Sequence, residues 1–300
     1  MKNRKAHYFI VLLILLSPTL SRADHVNLKL SFKTNSIGAG DLNTWIQSTN
    51  SLWQDWRQQN GGQLDGQFVP VDYGSNFEIE LRIPLFSGLA LNIGGSQLSS
   101  SSDSQINFSN EAGNQNEIQH LKNSVKTTAL KFGLSYSYPL PVFPRLSIVA
   151  GAGRHIRFIQ YKSEDHYELS STWFSQEFNY WYQKQNTYNS EALGFYASLG
   201  TEFELLEYIS VFLEAEKTWS HADGFKGRHS FSGDLGLGAF NEEGKASLYY
   251  YESNQSGLGQ YYSILTGHKK RPEESYIRDV RQGELNFNNF SFKIGIIFKF

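Results

Sequence analysis

Asp165-His166 and His221-Ala222-Asp223 each set an imidazole beside a carboxylate, the pairing from which acid/base or nucleophilic catalysis is assembled. Adjacency in sequence does not make a dyad. The base must hold a nucleophile within hydrogen-bond reach, and no nucleophile motif accompanies either pair. The eight histidines are scattered without ligand spacing and the chain has no cysteine, so no metal and no cofactor are expected. The expectation is a protein that is not an enzyme. A lipid- or peptide-hydrolysing enzyme with its site in outer loops is the alternative.

Aromatic residues are the second chemical resource. In Asp41 to Trp56, the residues Leu42, Trp45, Ile46, Thr49, Leu52, Trp53 and Trp56 recur at helical spacing, with Asp41 placed to cap the start after Gly38-Ala-Gly40. Such a helix serves as an aromatic lid or lipid-surface helix, or simply packs on a rim for stability. Trp173, Phe174, Phe178, Tyr180, Trp181, Tyr182 and Tyr188 suggest a platform for a carbohydrate or apolar ligand, or else an aromatic girdle and loop packing. Trp45, Trp53, Trp56, Trp173 and Trp181 are therefore the candidate ligand or partner surface.

What must position these residues is a set of strands with a period of two. Val26, Leu28, Leu30 and Phe32 alternate with Asn27, Lys29, Ser31 and Lys33 over His25 to Thr34. The pattern recurs over Asn76 to Leu85, Leu89 to Leu98, Val125 to Tyr138, Leu146 to Phe158, Glu191 to Glu204 and Ile209 to Trp219. It closes with Phe290, Phe292, Ile294, Ile296, Phe298 and Phe300. The fifth run carries Arg154, His155 and Arg157 after Gly151 and Gly153, so a bulge or kink is expected there. Long polar connections such as 35–75, 99–124, 161–190 and 220–289 alternate with tight turns, the asymmetry of a transmembrane barrel with long outer loops. About eight strands emerge. Ser230 to Phe240 and Lys245 to Glu252 make ten possible, although their glycines favour an extracellular hairpin.

The polar faces of these runs carry Lys29, Glu78, Glu80, Arg82, Lys131, Glu202, Glu204, Glu214, Glu216 and Lys293. Both signs are present, so the interior is expected to be cross-linked in ion pairs and too crowded for a general pore. Acids outnumber bases in this set, and Arg154 or Arg157 is expected to complete it.

Residues 1–23 combine a basic start (Lys2, Arg4, Lys5), an apolar run (Tyr8 to Leu16) and the small-residue site Ser21-Arg22-Ala23, as a cleaved secretory signal does. Residues 24–300 then form the barrel. Without residues 1–23, Lys+Arg falls from 27 to 23 against Asp+Glu 29, which gives no electrostatic case for nucleic acid. An aromatic share of 15% beside a mean hydropathy of -0.43 suits strands whose alternate residues face water.

The terminal strand, with Lys293, Gly295, Phe298 and Phe300 in that order, resembles the carboxyl-terminal assembly signal of bacterial outer-membrane barrels. With the alternating strands, the chain looks like a small outer-membrane β-barrel of the OmpW/OmpX-like group. That resemblance implies an all-β, antiparallel up-and-down barrel of the Gram-negative outer membrane with one short loop helix. It also implies contact with outer-membrane lipid, insertion by the outer-membrane assembly machinery, and, for the OmpW branch, passage of small hydrophobic molecules. The loops here are much longer than a minimal barrel's, which points to presentation of loops to a small apolar ligand or surface partner.

Overall fold

The computed structural model describes residues 26–300 except 174–175, 235, 237 and 255–257, together with all their side chains but those of residues 35, 36 and 173. The expected export segment and Phe174 lie outside the described residues, as does the side chain of Trp173. The elements in order are β1 (Asn27–Ser36), α1 (Asp41–Asn60), β2 (Gln63–Gly66), β3 (Tyr73–Phe86), β4 (Leu89–Ser109), β5 (Gln115–Leu140), β6 (Phe143–Trp173) and β7 (Gln176–Leu206). They continue as β8 (Ile209–Ala222), β9 (Lys226–Asp234), β10 (Ala239–Ser253), β11 (Tyr262–His268), β12 (Ile277–Gln282), β13 (Leu285–Asn286) and β14 (Phe290–Lys299).

Eight antiparallel strands close a ring: β1, β3, β4, β5, β6, β7, β8, β14 and back to β1. Closure leaves the ring no unpaired edge, which a barrel in hydrocarbon requires. The outward residues form an apolar band. Phe86, Tyr136, Tyr138, Phe143, Phe203 and Tyr208 are exposed at its lower border, and Phe195, Trp219 and Phe290 at its upper one. The tight turns after β3, β5 and β7 and the two strand ends joined by the Asn27–Lys299 pairing all lie at the lower border.

The fifth ring strand corrects one expectation. β6 stays in continuous register with β7 from Leu146–Phe203 to Trp173–Gln176, and its ladder with β5 is unbroken across Gly151 to Phe158. No bulge is needed, because His155 and Arg157 point inward while Arg154 points outward across the Phe195 ring, 5.1 Å away. Arg154 lies at the upper border, where its stem can cover apolar surface while the head reaches water.

The long connections are a second correction. Most of residues 99–124 and 161–190, expected as loops, continue the strands, so that β6 and β7 each run 31 residues, where about 9–11 cross a bilayer. Above the band β7 parts from β8 and pairs with β9, β9 with β10, and β10 with β11 and β12, while β2 joins the far end of β4. The wall thus opens into a wider sheet with β2 and β11 as its edges. The β9–β10 hairpin stands outside the ring, as its glycines suggested.

Helix α1 fills the mouth of that outer sheet, packing against both edge strands, β2 and β11. Its apolar stripe is the reason: Leu42, Ile46 and Trp53 are buried against inward residues such as Phe108, Val125, Tyr161 and Tyr188. It is not apolar enough to cross a membrane. Asp41 does not cap it. Gly40 occupies the cap position in a left-handed conformation (φ 52°), and a β-carbon there would stand 3.0 Å from the Glu284 carbonyl oxygen. Asp41 instead lies in the first turn, bound by both terminal nitrogens of Arg281 at 2.5 Å and by the Glu284 backbone N–H at 2.8 Å.

Candidate functional site

Within the membrane band the lumen is crossed by a network of buried charges. Glu216, without solvent exposure, meets Lys33 at 2.5 Å, Lys131 at 2.6 Å and Lys293 at 2.6 Å. Glu78 holds Lys293 at 2.7 Å and Lys131 at 3.0 Å. Glu214 holds Lys29 at 2.5 Å and Lys293 at 3.0 Å, and Glu80 stands 3.8 Å from Lys29. Each strand residue is forced inward by the lipid-facing partner on either side, so alternation alone gathers these groups on one axis. The count closes without the fifth strand: four lysines oppose four glutamates. Lys33 supplies the balancing charge expected of Arg154 or Arg157. Arg157 is inward, but its guanidinium lies over the Phe287 ring at 4.7 Å and makes no ion pair among the described residues. Below the network Arg82 binds Glu202 at 2.5 Å, and at the lower mouth Lys299 binds Glu204 at 2.8 Å.

Above the network comes the apolar layer around α1, stitched by polar contacts. Trp53 Nε1 donates to Gln119 at 2.9 Å, Trp56 Nε1 to Glu117 at 3.2 Å, and Tyr262 to Asp55 at 2.6 Å. Trp45, Trp53 and Trp56 are thus core and seam residues of the outer scaffold. The second aromatic set does not form one platform. Among the described residues of the set, Tyr188 is buried and stacked on Tyr161, Tyr182 is stacked on Tyr167, and Phe178 and Trp181 are exposed.

Neither histidine–carboxylate pair becomes a dyad. Asp165 faces inward, accepting from Gln119 at 2.8 Å, while His166 faces outward toward Glu168 at 2.7 Å. His221 is exposed, 3.8 Å from Glu284. Among the described residues no three His, Asp or Glu side chains gather as a metal site would need.

A cleft that sequence reading missed opens at the outer end, with a cavity of about 550 Å³. Lys184 of β7, His229 and Phe231 of β9, Glu242 of β10, His268 at the end of β11, and Lys269 to Arg271 after it converge on it. Lys269 binds Glu242 at 2.6 Å, and His229 Nε2 lies 3.9 Å from the same carboxylate. Lys184, Lys270 and Arg271 have no carboxylate within ion-pair distance among the described residues. Burial pushes the Lys184 ammonium below its ordinary value, with Asp165 acting the other way. His268 is likewise held down by burial and then by Lys184, against Glu274. No local motif announces the cleft, since its residues come from four separate stretches of sequence.

No protein-family model matches the chain, and no curated protein is detectably similar to it. Among solved structures it is similar to the outer membrane protein OprG from Pseudomonas aeruginosa, at 10% identity over 93% of this chain and 96% of that one, with a TM-score of 0.37. It is also similar to the outer membrane protease OmpT from Escherichia coli, at 11% identity over 93% and 97% with a TM-score of 0.26. A third is the translocator domain of the autotransporter NalP from Neisseria meningitidis, at 10% identity over 99% and 97% with a TM-score of 0.20. The architecture itself rests on the closed ring and its outward band. It is an outer-membrane β-barrel. Its ring has eight strands, the number expected from the alternating runs of the sequence.

Proposed function

We propose that this protein is a non-conducting, non-enzymatic outer-membrane barrel that carries an ordered extracellular scaffold for binding. The observation that supports it is the three-lysine clasp on Glu216, continued through Glu78 and Glu214, which ties β1, β3, β5, β8 and β14 together across the lumen. Water or solute passing along the axis would have to part buried ion pairs, each costly to leave with one charge unmatched. Passage of small hydrophobic molecules, the role attached to the OmpW branch, would then need a route other than the axis.

The cleft's His229 beside Glu242 is the one observation favouring the enzymatic alternative. Against it, no serine, threonine or cysteine is among the described residues lining the cleft, and the buried Thr266 hydroxyl beside it is bound by Lys184, so no free hydroxyl or thiol nucleophile is presented there. Export by residues 1–23 and recognition of Lys293, Gly295, Phe298 and Phe300 by the assembly machinery belong to the same reading. Planar-bilayer recording of the refolded protein tests it. Silence or brief small events are expected, and a steady porin-sized conductance would sink the closed-lumen reading.

A further inference from the structure

The outer cleft carries more positive charge than its own carboxylates can match. Lys184, Lys269, Lys270 and Arg271 face Glu242 and Glu274, leaving a formal +2 with both imidazoles neutral. Lys269 is occupied by Glu242, whereas Lys184 hydrogen-bonds the Thr266 hydroxyl and feels Asp165 beyond ion-pair distance, and Arg271 spends one nitrogen on the Val280 carbonyl at 2.9 Å. Lys270 is exposed. The His229 side chain is 10% exposed, and its Nδ1 is buried without a hydrogen-bond partner, which a stable fold rarely tolerates. Phe231 forms an apolar wall, held at 4.9 Å by Phe240.

We propose that this cleft binds a phosphorylated sugar, an inference that deepens the binding-scaffold reading and rests on it. Charge decides the class: a phosphate monoester carries about -1.5 to -2 near neutral pH, close to the excess in the cleft. Its oxygens accept from ammonium and guanidinium donors, and Arg271 keeps part of its planar fork free for them. The remaining groups suit a sugar rather than a bare ion. Phe231 offers an apolar wall for the ring, while the Glu242 oxygen that Lys269 leaves free offers a hydroxyl partner. A cavity of about 550 Å³ lies within the range of small-ligand sites. The same phosphosugar chemistry is available from a soluble metabolite or from a phosphorylated glycan of the outer leaflet.

The test uses the full chain in phosphatidylcholine nanodiscs, titrated calorimetrically with glucose 6-phosphate and with glucose. Its second arm is co-flotation with phosphatidylcholine vesicles carrying a phosphorylated glycolipid. Saturable binding of the phosphosugar without binding of glucose is expected, weakened at least about tenfold in Lys270→Gln/Arg271→Gln. Lys270→Gln alone removes an exposed charge that holds nothing, so its several-fold loss cannot be laid to unfolding. Binding in the vesicle arm alone, with the same sensitivity, assigns the site to a membrane-borne glycan. Failure of both phosphate forms to bind, equal binding of glucose, or indifference to the double variant overturns the proposal. Those outcomes are separate from the bilayer recording, which reports the lumen and not the cleft.

Discussion

Lys293 touches Glu78, Glu214 and Glu216 at once, with 1% of its side chain exposed. Replacing it by methionine leaves three lysines, Lys29, Lys33 and Lys131, against four glutamates in the lumen, and an unmatched buried charge costs about 3–5 kcal/mol. The urea midpoint of Lys293→Met in lipid vesicles is expected to fall accordingly, and an unchanged midpoint would mean that water already solvates the network. Asp165, beyond the membrane band, shows the opposite case. Burial raises its carboxyl above the ordinary value, with Gln119 and Lys184 pulling the other way. Its folded pKa exceeds the unfolded one, so the penalty is absent below the unfolded value, grows as pH rises through the folded value, and is full above it. Asp165→Asn keeps an acceptor for Gln119 and is expected to raise the melting temperature at pH 7 but leave it unchanged at pH 3, followed by tryptophan fluorescence. Phe298 and Phe300 act at the border with lipid. Replacing both by serine removes apolar area and the terminal recognition pattern, and a much weaker heat-modifiable folded band in outer membranes is expected. The lumen charges were legible in the sequence because lipid on one face forces polar residues to the other. The cleft was not, because Lys184, His229 and Arg271 are brought together only by pairing between distant strands.

At the level of elements, legibility stopped at the membrane border. Inside it, Leu193, Phe195 and Leu199 must face hydrocarbon, and the period of two is clean. Above it both faces of the same strands are mixed: Ser100, Ser102, Gln119 and Asn123 are buried, while their outward neighbours meet water. The alternation fades although the ladder does not, and so strand continuations read as loops. Helix α1 was readable because its stripe faces an apolar core, but the role of Asp41 was not, since its partner Arg281 lies far along the chain. Trp53 is the buried anchor of the helix, and truncating a buried aromatic costs about 3–5 kcal/mol. Converting Trp45, Trp53 and Trp56 to alanine is expected to make residues 41–60 protease-sensitive while the ring keeps its strand signal in circular dichroism. Unchanged protease resistance would exclude packing by this stripe.

On the scale of the whole molecule, two layers fill the barrel by different physics, ion pairs within the membrane and apolar packing around α1 above it. The two need not fail together. The charge layer is built wholly from ring strands, and it stays in place if the helix loosens. The ladder between β6 and β7 links the layers, crossing from the band to the outer tip in one register. At about 3.3 Å per residue, 31 residues make a stiff mast on the order of 100 Å in contour. The cleft at its side is therefore carried at a fixed standoff from the bilayer, so that height above the lipid is itself a filter on what the protein can meet.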